Sequence, residues 1–233
     1  HERAKALCRR MSRRTHLEQD DSICAELPRK VRLAWHQRGL KADDMPTLAM
    51  LLPWMPRLEE LQLGSNKEVG DAGLQALFEG LGHGALPSLR ILALCEIQLG
   101  PAGAEVLAAA LRRGAMRNVE TMQLSHNRLG SQGVAALSAV VRVLPSLQAL
   151  YIGENNIDDE GVASLVADLG KDDFKALETI YLHDNELTDS ATTTLVQAIK
   201  QGAMPALRCV ELGDEIYGSD DSESDEISMS PNM

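Results

Sequence analysis

The side chains with most chemical potential recur about thirty residues apart. Tyr151 and Tyr181 are one such pair, Glu154 and Asp184 another, and Glu211 and Asp214 follow thirty residues after Tyr181 and Asp184. His183 sits beside Asp184. Phenol faces and carboxylates together attract cations, and tyrosine is enriched where proteins bind one another. Tyr151, Tyr181, His183, Glu154, Asp184, Glu211 and Asp214 are therefore the expected partner-binding patch, suited to a basic or arginine-bearing protein surface. His126, His183, Glu154 and Asp184 also carry metal-ligating atoms. They fall in different columns and rungs of the repeat described below, and none has ligand spacing such as H-x-x-x-H, so no metal is expected. No G-x-S-x-G, P-loop or supported Cys–His arrangement occurs. Gly80–Gly84 follows a helical stretch rather than opening one. Neither a catalytic centre nor a cofactor is expected.

A fixed spacing of single residues needs a repeating scaffold. The stretch Leu147–Asn156, LQALYIGENN, has apolar residues at its first, fourth and sixth positions and Asn155 at its ninth, followed by Ile157. Leu177, Ile180, Leu182, Asn185 and Leu187 copy it, as do Val119, Met122, Leu124, Asn127 and Leu129. Leu58, Leu61, Leu63, Asn66 and Val69 copy it with one extra residue, and Leu89, Leu92, Leu94 and Leu99 copy it without the asparagine. Degenerate copies open the array (Leu33, Trp35, Leu40) and close it (Leu207, Val210, Leu212, Tyr217). Repeats start at 30, 58, 89, 119, 147, 177 and 207, and self-similarity at this period marks a solenoid.

Each repeat divides in two. The alternating part, as in Leu177–Leu182, predicts a short strand, and the asparagine predicts a turn in which its amide bonds neighbouring backbone. Beyond it come stripes at spacing four: Gly73, Leu77, Leu81; Gly103, Leu107, Leu111; Gly133, Leu137, Val141; Gly161, Leu165, Leu169; Ala191, Leu195, Ile199. Such stripes predict amphipathic helices. Asp71, Pro101, Ser131, Asp159 and Asp189 are placed at the first helical position, where proline and carboxylates are favoured. Each helix is expected to end near Gly82, Gly114, Pro145, Gly170 or Gly202. The small residue opening each stripe is expected to let the helix approach the strands. Helices are wider than strands, about 10 Å against about 4.8 Å, so the stack must curve with its strands on the concave side.

That frame aligns two outward columns. One reads Ala34, Gln62, Ala93, Gln123, Tyr151, Tyr181, Glu211. The other reads Gln37, Ser65, Glu96, His126, Glu154, Asp184, Asp214. Like charges stacked at strand spacing repel, so fold stability gives no reason for the acidic end of the second column.

The 233-residue chain carries a net charge of −11, which argues against generic nucleic-acid binding. Charge is segregated: residues 1–40 are net +5 and residues 219–233 net −5. Ala4, Leu7 and Met11 lie at helical spacing in the basic segment 1–17, but the apolar face is thin and a solvated arm is the favoured reading. Residues 1–29 are taken as basic arm and capping region, 30–218 as the repeat domain and 219–233 as a disordered acidic tail, in which Ser222, Ser224 and Ser230 are weak phosphorylation signals. Cys8, Cys24, Cys95 and Cys209 form no C-x-x-C pair. Cys95 and Cys209 fall on rungs four apart, about 19 Å, beyond disulfide reach, so a reducing compartment is expected. No stretch is long and apolar enough to span a membrane and no secretory signal core is present. A chain beginning at His1 is expected to be a fragment or processed form.

The long helical repeats resemble the ribonuclease-inhibitor class of leucine-rich repeats. Ile157, Gly161, Leu165 and Leu169 match its pattern, as do Leu129, Gly133, Leu137 and Val141, over roughly residues 30–217. The resemblance implies an α/β solenoid of about seven repeats that is cytoplasmic (or nuclear) and binds proteins on its concave face. The class includes ribonuclease inhibitors, sensor ends of nucleotide-binding innate-immune receptors, and Ran GTPase-activating proteins. The favoured expectation is a non-enzymatic interaction module or adaptor. The alternatives are a GTPase-activating regulator, with Arg128 the first residue to check, and the sensing end of a larger receptor. No helix is evident after Tyr217, so the last repeat is expected to be covered by the tail or by self-association.

Overall fold

The structure, a computed structural model, describes residues 2–12, 27–170 and 172–213. The expected tail, Asp214, Tyr217 and most of the N-terminal capping segment lie outside them.

Seven three-residue strands form one sheet in chain order: β1 (Arg32–Ala34), β2 (Glu60–Gln62), β3 (Ile91–Ala93), β4 (Thr121–Gln123), β5 (Ala149–Tyr151), β6 (Thr179–Tyr181) and β7 (Cys209–Glu211). Every pairing is parallel and without slip, so Leu33, Leu61, Leu92, Met122, Leu150, Ile180 and Val210 make one buried row. A one-residue slip would turn that row to solvent, which is why the repeat length can vary only in the loops.

Past each of β1 to β6 the chain enters the left-handed region, at Gln37, Ser65, Glu96, His126, Glu154 and Asp184, with φ between 53° and 57°. For a residue with a side chain this costs about 1 kcal/mol. What offsets it is an extra rung: the amides of the first five of these residues donate to the next repeat, as in Ser65 to the Cys95 carbonyl (2.8 Å), His126 to Gly153 (3.0 Å) and Glu154 to His183 (3.0 Å).

The expected asparagines then close the turn. Asn127 Oδ1 accepts from the amides of Ile97 (3.1 Å) and Leu99 (2.9 Å) in the preceding repeat, while its Nδ2 donates to the carbonyls of Leu94 and Leu124 (2.8 Å each). Asn66 does the same for Arg38 and Leu40, and Asn185 for Asn155 and Ile157. Asn66, Asn127 and Asn155 are buried, and their amides replace the water that buried backbone would otherwise lose. The third repeat has Ile97 at this position, buried as an apolar plug.

The helices cover the other side: α1 (Glu2–Ser12), α2 (Met45–Leu51), α3 (Gly70–Glu79), α4 (Pro101–Arg112), α5 (Gly130–Val141), α6 (Asp159–Val166) and α7 (Asp189–Lys200). From α2 onward each packs on the next, and α1 packs on α2 with Leu7 and Cys8 buried. The basic segment expected as a solvated arm is thus, over residues 2–12, a helix docked on the first repeat. Asp71 and Ser131 sit one position inside their helices rather than at the first. The glycines opening the stripes make room not for the strands but for the apolar residue four positions before them and for the preceding helix: a Cβ on Gly161 would lie 2.6 Å from Ile157 of its own repeat and 2.9 Å from Ser131 Oγ at the start of the preceding helix.

Helix starts are also tied side chain to backbone between repeats. Asp71 accepts from the Gly100 amide (2.6 Å) and Asp159 from the Thr188 amide (2.8 Å), while Ser131 bonds Asp158, itself the N-cap of α6. A further column escaped the sequence reading: Leu27, Met55, Leu86, Met116, Leu144, Phe174 and Met204, each three residues before a repeat start and each buried. Leu86, Met116, Phe174 and Met204 hold left-handed backbone, an outlier for bulky residues that burial in the core offsets.

Asn127→Ala strands two buried amides, each worth about 1–3 kcal/mol. Denaturant unfolding should show about 2–5 kcal/mol lost, against about 0.5 kcal/mol or less for Arg128→Ala next to it. The hydrogen bond from Ser131 and the amides of Gly161 and Glu160 hold the Asp158 carboxyl below its ordinary range, and Thr188 does the same for Asp159. A depressed carboxylate stabilises the fold above its ordinary pKa and loses that contribution as pH falls through its folded value. Acid unfolding followed by circular dichroism should therefore have a shallower limb in an Asp158→Asn/Asp159→Asn chain than in the parent.

Candidate functional site

Side chains on either side of the buried strand row point to the concave surface. The register places Ala34, Gln62, Ala93, Gln123, Tyr151, Tyr181 and Glu211 in one line, as the sequence frame expected. A parallel line two residues earlier reads Arg32, Glu60, Ile91, Thr121, Ala149, Thr179 and Cys209. The sequence reading passed over this second line, although alternation around each central leucine implies it.

The two halves of the concave face differ. Toward the N-terminus charges are internally paired: Arg32 Nε lies 2.7 Å from Glu60, and Lys67 Nζ lies 2.8 Å from Glu96. The hydrogen bond from Lys67, then that from Ser65, holds the Glu96 carboxyl below its usual range. Toward the C-terminus Tyr151 and Tyr181 stack with ring centroids 4.3 Å apart and planes within 8°. In-register strands about 4.8 Å apart dictate such a stack once both positions are aromatic. Burial, and then the neighbouring Tyr151, pushes the Tyr181 phenol above its ordinary value. Glu211 is next in line beyond Tyr181.

The turn ridge borders this aromatic shelf. His126 Nδ1 is 2.8 Å from Glu154 Oε2, and His183 Nδ1 is 2.9 Å from Asp184 Oδ2. The His183 ring lies over Gly153, where a Cβ would come within 2.6 Å of its Nε2. These contacts correct two expectations. Residues assigned to separate columns and rungs in fact converge: ligand-capable atoms of Glu154, His183 and Asp184 all lie within 4.8 Å of one another. The acids at the end of the ridge are also not stacked without partners, because His126 lies against Glu154 and His183 against Asp184. Tyr151, Tyr181, His183, Glu154, Asp184 and Glu211 therefore occupy one concave quarter, and Asp214 lies outside the described residues. Arg128 is exposed on the ridge, its amide bonded to Leu99. Cys95 carries a free thiol, and burial raises its pKa.

Residues 56–78, 115–138 and 143–166 match the family model described as Leucine Rich repeat. The fold is a leucine-rich-repeat solenoid. Among solved structures, the solenoid is similar to a chain in the crystal structure of the yeast Rad7 and Elc1 complex, with 15% identity, a TM-score of 0.35, and coverage of 82% of this chain and 64% of that one. It is also similar to a protein from Bacteroides fragilis, with 16% identity, a TM-score of 0.34, and coverage of 94% of this chain and 72% of that one. The solenoid thus spans less than two thirds of the length of the yeast chain. No curated protein matches it in sequence. Among the described residues no helix is long and apolar enough to cross a membrane.

Replacing Tyr151 with alanine bares one face of Tyr181. Alkaline ultraviolet titration should then show the Tyr181 phenol moving down toward its ordinary 10.0. An unmoved midpoint would mean that the stack does not shield it.

Proposed function

We propose that this solenoid is a non-catalytic protein-interaction module of the ribonuclease-inhibitor-like class. Its working surface is the concave quarter built by Tyr151, Tyr181, His183, Glu154, Asp184 and Glu211. Its partner presents a basic, arginine-bearing surface. The observation that carries this reading is the stacked tyrosine pair, 4.3 Å between centroids, set among carboxylates on the concave side. Two phenol faces and a line of acids offer a guanidinium both stacking and charge. Stacked, half-buried tyrosines also have little rotamer freedom left to lose on binding. The helix of eight to twelve residues in each of the second to sixth repeats supports the subclass assignment, and the free Cys95 thiol supports a reducing compartment, cytoplasmic or nuclear. The outer edge of β7 is the place where a second copy would pair.

Affinity capture from native lysate tests the reading, with the parent compared against Tyr151→Ala/Tyr181→Ala and against Asp184→Lys/Glu211→Lys. A partner held by the parent in a salt-sensitive manner and lost by both variants is the expected result. Equal capture by all three chains would move the binding surface away from this quarter.

A further inference from the structure

The ridge beside the tyrosines has a chemistry that protein binding does not require. We propose that Glu154, His183 and Asp184, with His126 alongside, form a site for a divalent cation of the zinc type. The donor atoms of the first three lie within 4.8 Å of one another. A four-coordinate zinc with bonds of about 2.1 Å separates neighbouring ligands by about 3.4 Å. Side-chain torsions would have to supply that approach, since the backbone beneath is held. Glu154 and Asp184 occupy the same left-handed turn position in successive repeats, with φ of 53° and 54°. Asn185 Oδ1 ties the two turns together through the Asn155 amide at 2.9 Å.

The donor set also selects the ion. A row of carboxylates alone would be an ordinary solvated surface. Here the His183 imidazole has a ring nitrogen within 4.8 Å of an oxygen of each acid, and a second imidazole, His126, lies 2.8 Å from Glu154. One imidazole nitrogen beside two carboxylates suits zinc, copper or nickel, whereas magnesium and calcium favour all-oxygen shells. Gly153 leaves the space in which the His183 ring lies, since a Cβ there would meet three ring atoms at 2.6–2.8 Å. A bound ion would offset the charge of the two acids. This inference does not rest on the tyrosine shelf binding a protein.

Calorimetric titration of the full, tag-free, reduced chain with Zn²⁺ tests it. The expected result is one saturable site per chain, insensitive to excess Mg²⁺. His183→Gln and Glu154→Gln should each abolish it, and His126→Gln should weaken it by about tenfold, the usual effect of a residue orienting a ligand. Tyr151→Ala/Tyr181→Ala should leave it intact, which separates failure of this site from failure of the partner-binding surface. Co²⁺ substituted for zinc should give a ligand-field spectrum with no thiolate charge-transfer band. Absence of saturable binding, unchanged binding in His183→Gln, or a thiolate band pointing to the cysteines would each overturn the proposal.

Discussion

The structure depends on parallel backbones stacking without slip. Parallel strands need long crossovers, and here every crossover is one helix that returns the chain to the same height one rung along. Three strand residues per repeat cannot hold that alignment alone. The left-handed turn residue adds a rung beyond the strand, and the asparagine amide reaches back to two amides of the repeat before it. The buried polar side chain sets the spacing, and the leucines fill the space it defines. The third repeat is the exception, with Ile97 plugging the site and Asp71 bonding Gly100 at the helix ends instead.

Much of this could be read from the chain. The leucine ladder, the asparagine and the spacing-four stripes each follow from a local rule, and repetition averages away the errors of any one copy. The apolar column three residues before each repeat, from Leu27 to Met204, had the same statistical support and was missed. It lies in what reads as a loop after a glycine or proline, where burial is not the default expectation. The glycines of the stripes misled for a different reason. Their periodicity shows that space is short, but which neighbour occupies it depends on how successive helices sit together. The docking of α1 was equally hidden, because a thin apolar face in a basic segment carries little signal until its receptor, α2, is in view.

The candidate site was legible in its lines and not in its contacts. Register alone brings Tyr151 over Tyr181 and sets Glu211 beyond them. Whether a histidine on the ridge turns to its own neighbour or to the next rung is a matter of side-chain torsion, which has no periodicity. His183 turns toward Asp184 and over Gly153, and His126 turns toward Glu154. Those choices set one imidazole against each of the two carboxylates.

The ties between repeats are not evenly spread. Among the described residues, the step from the fourth repeat to the fifth has both an asparagine tie and the Ser131–Asp158 bond, and the next step has both Asn185 and the Asp159–Thr188 bond. The tyrosine shelf rests on these doubly tied steps. A surface held in this way has little ordering left to do when another molecule arrives. Encounter would then be governed by diffusion and by the field of the carboxylates, with the lifetime of the complex set by how well the arriving surface fits a shape that does not yield.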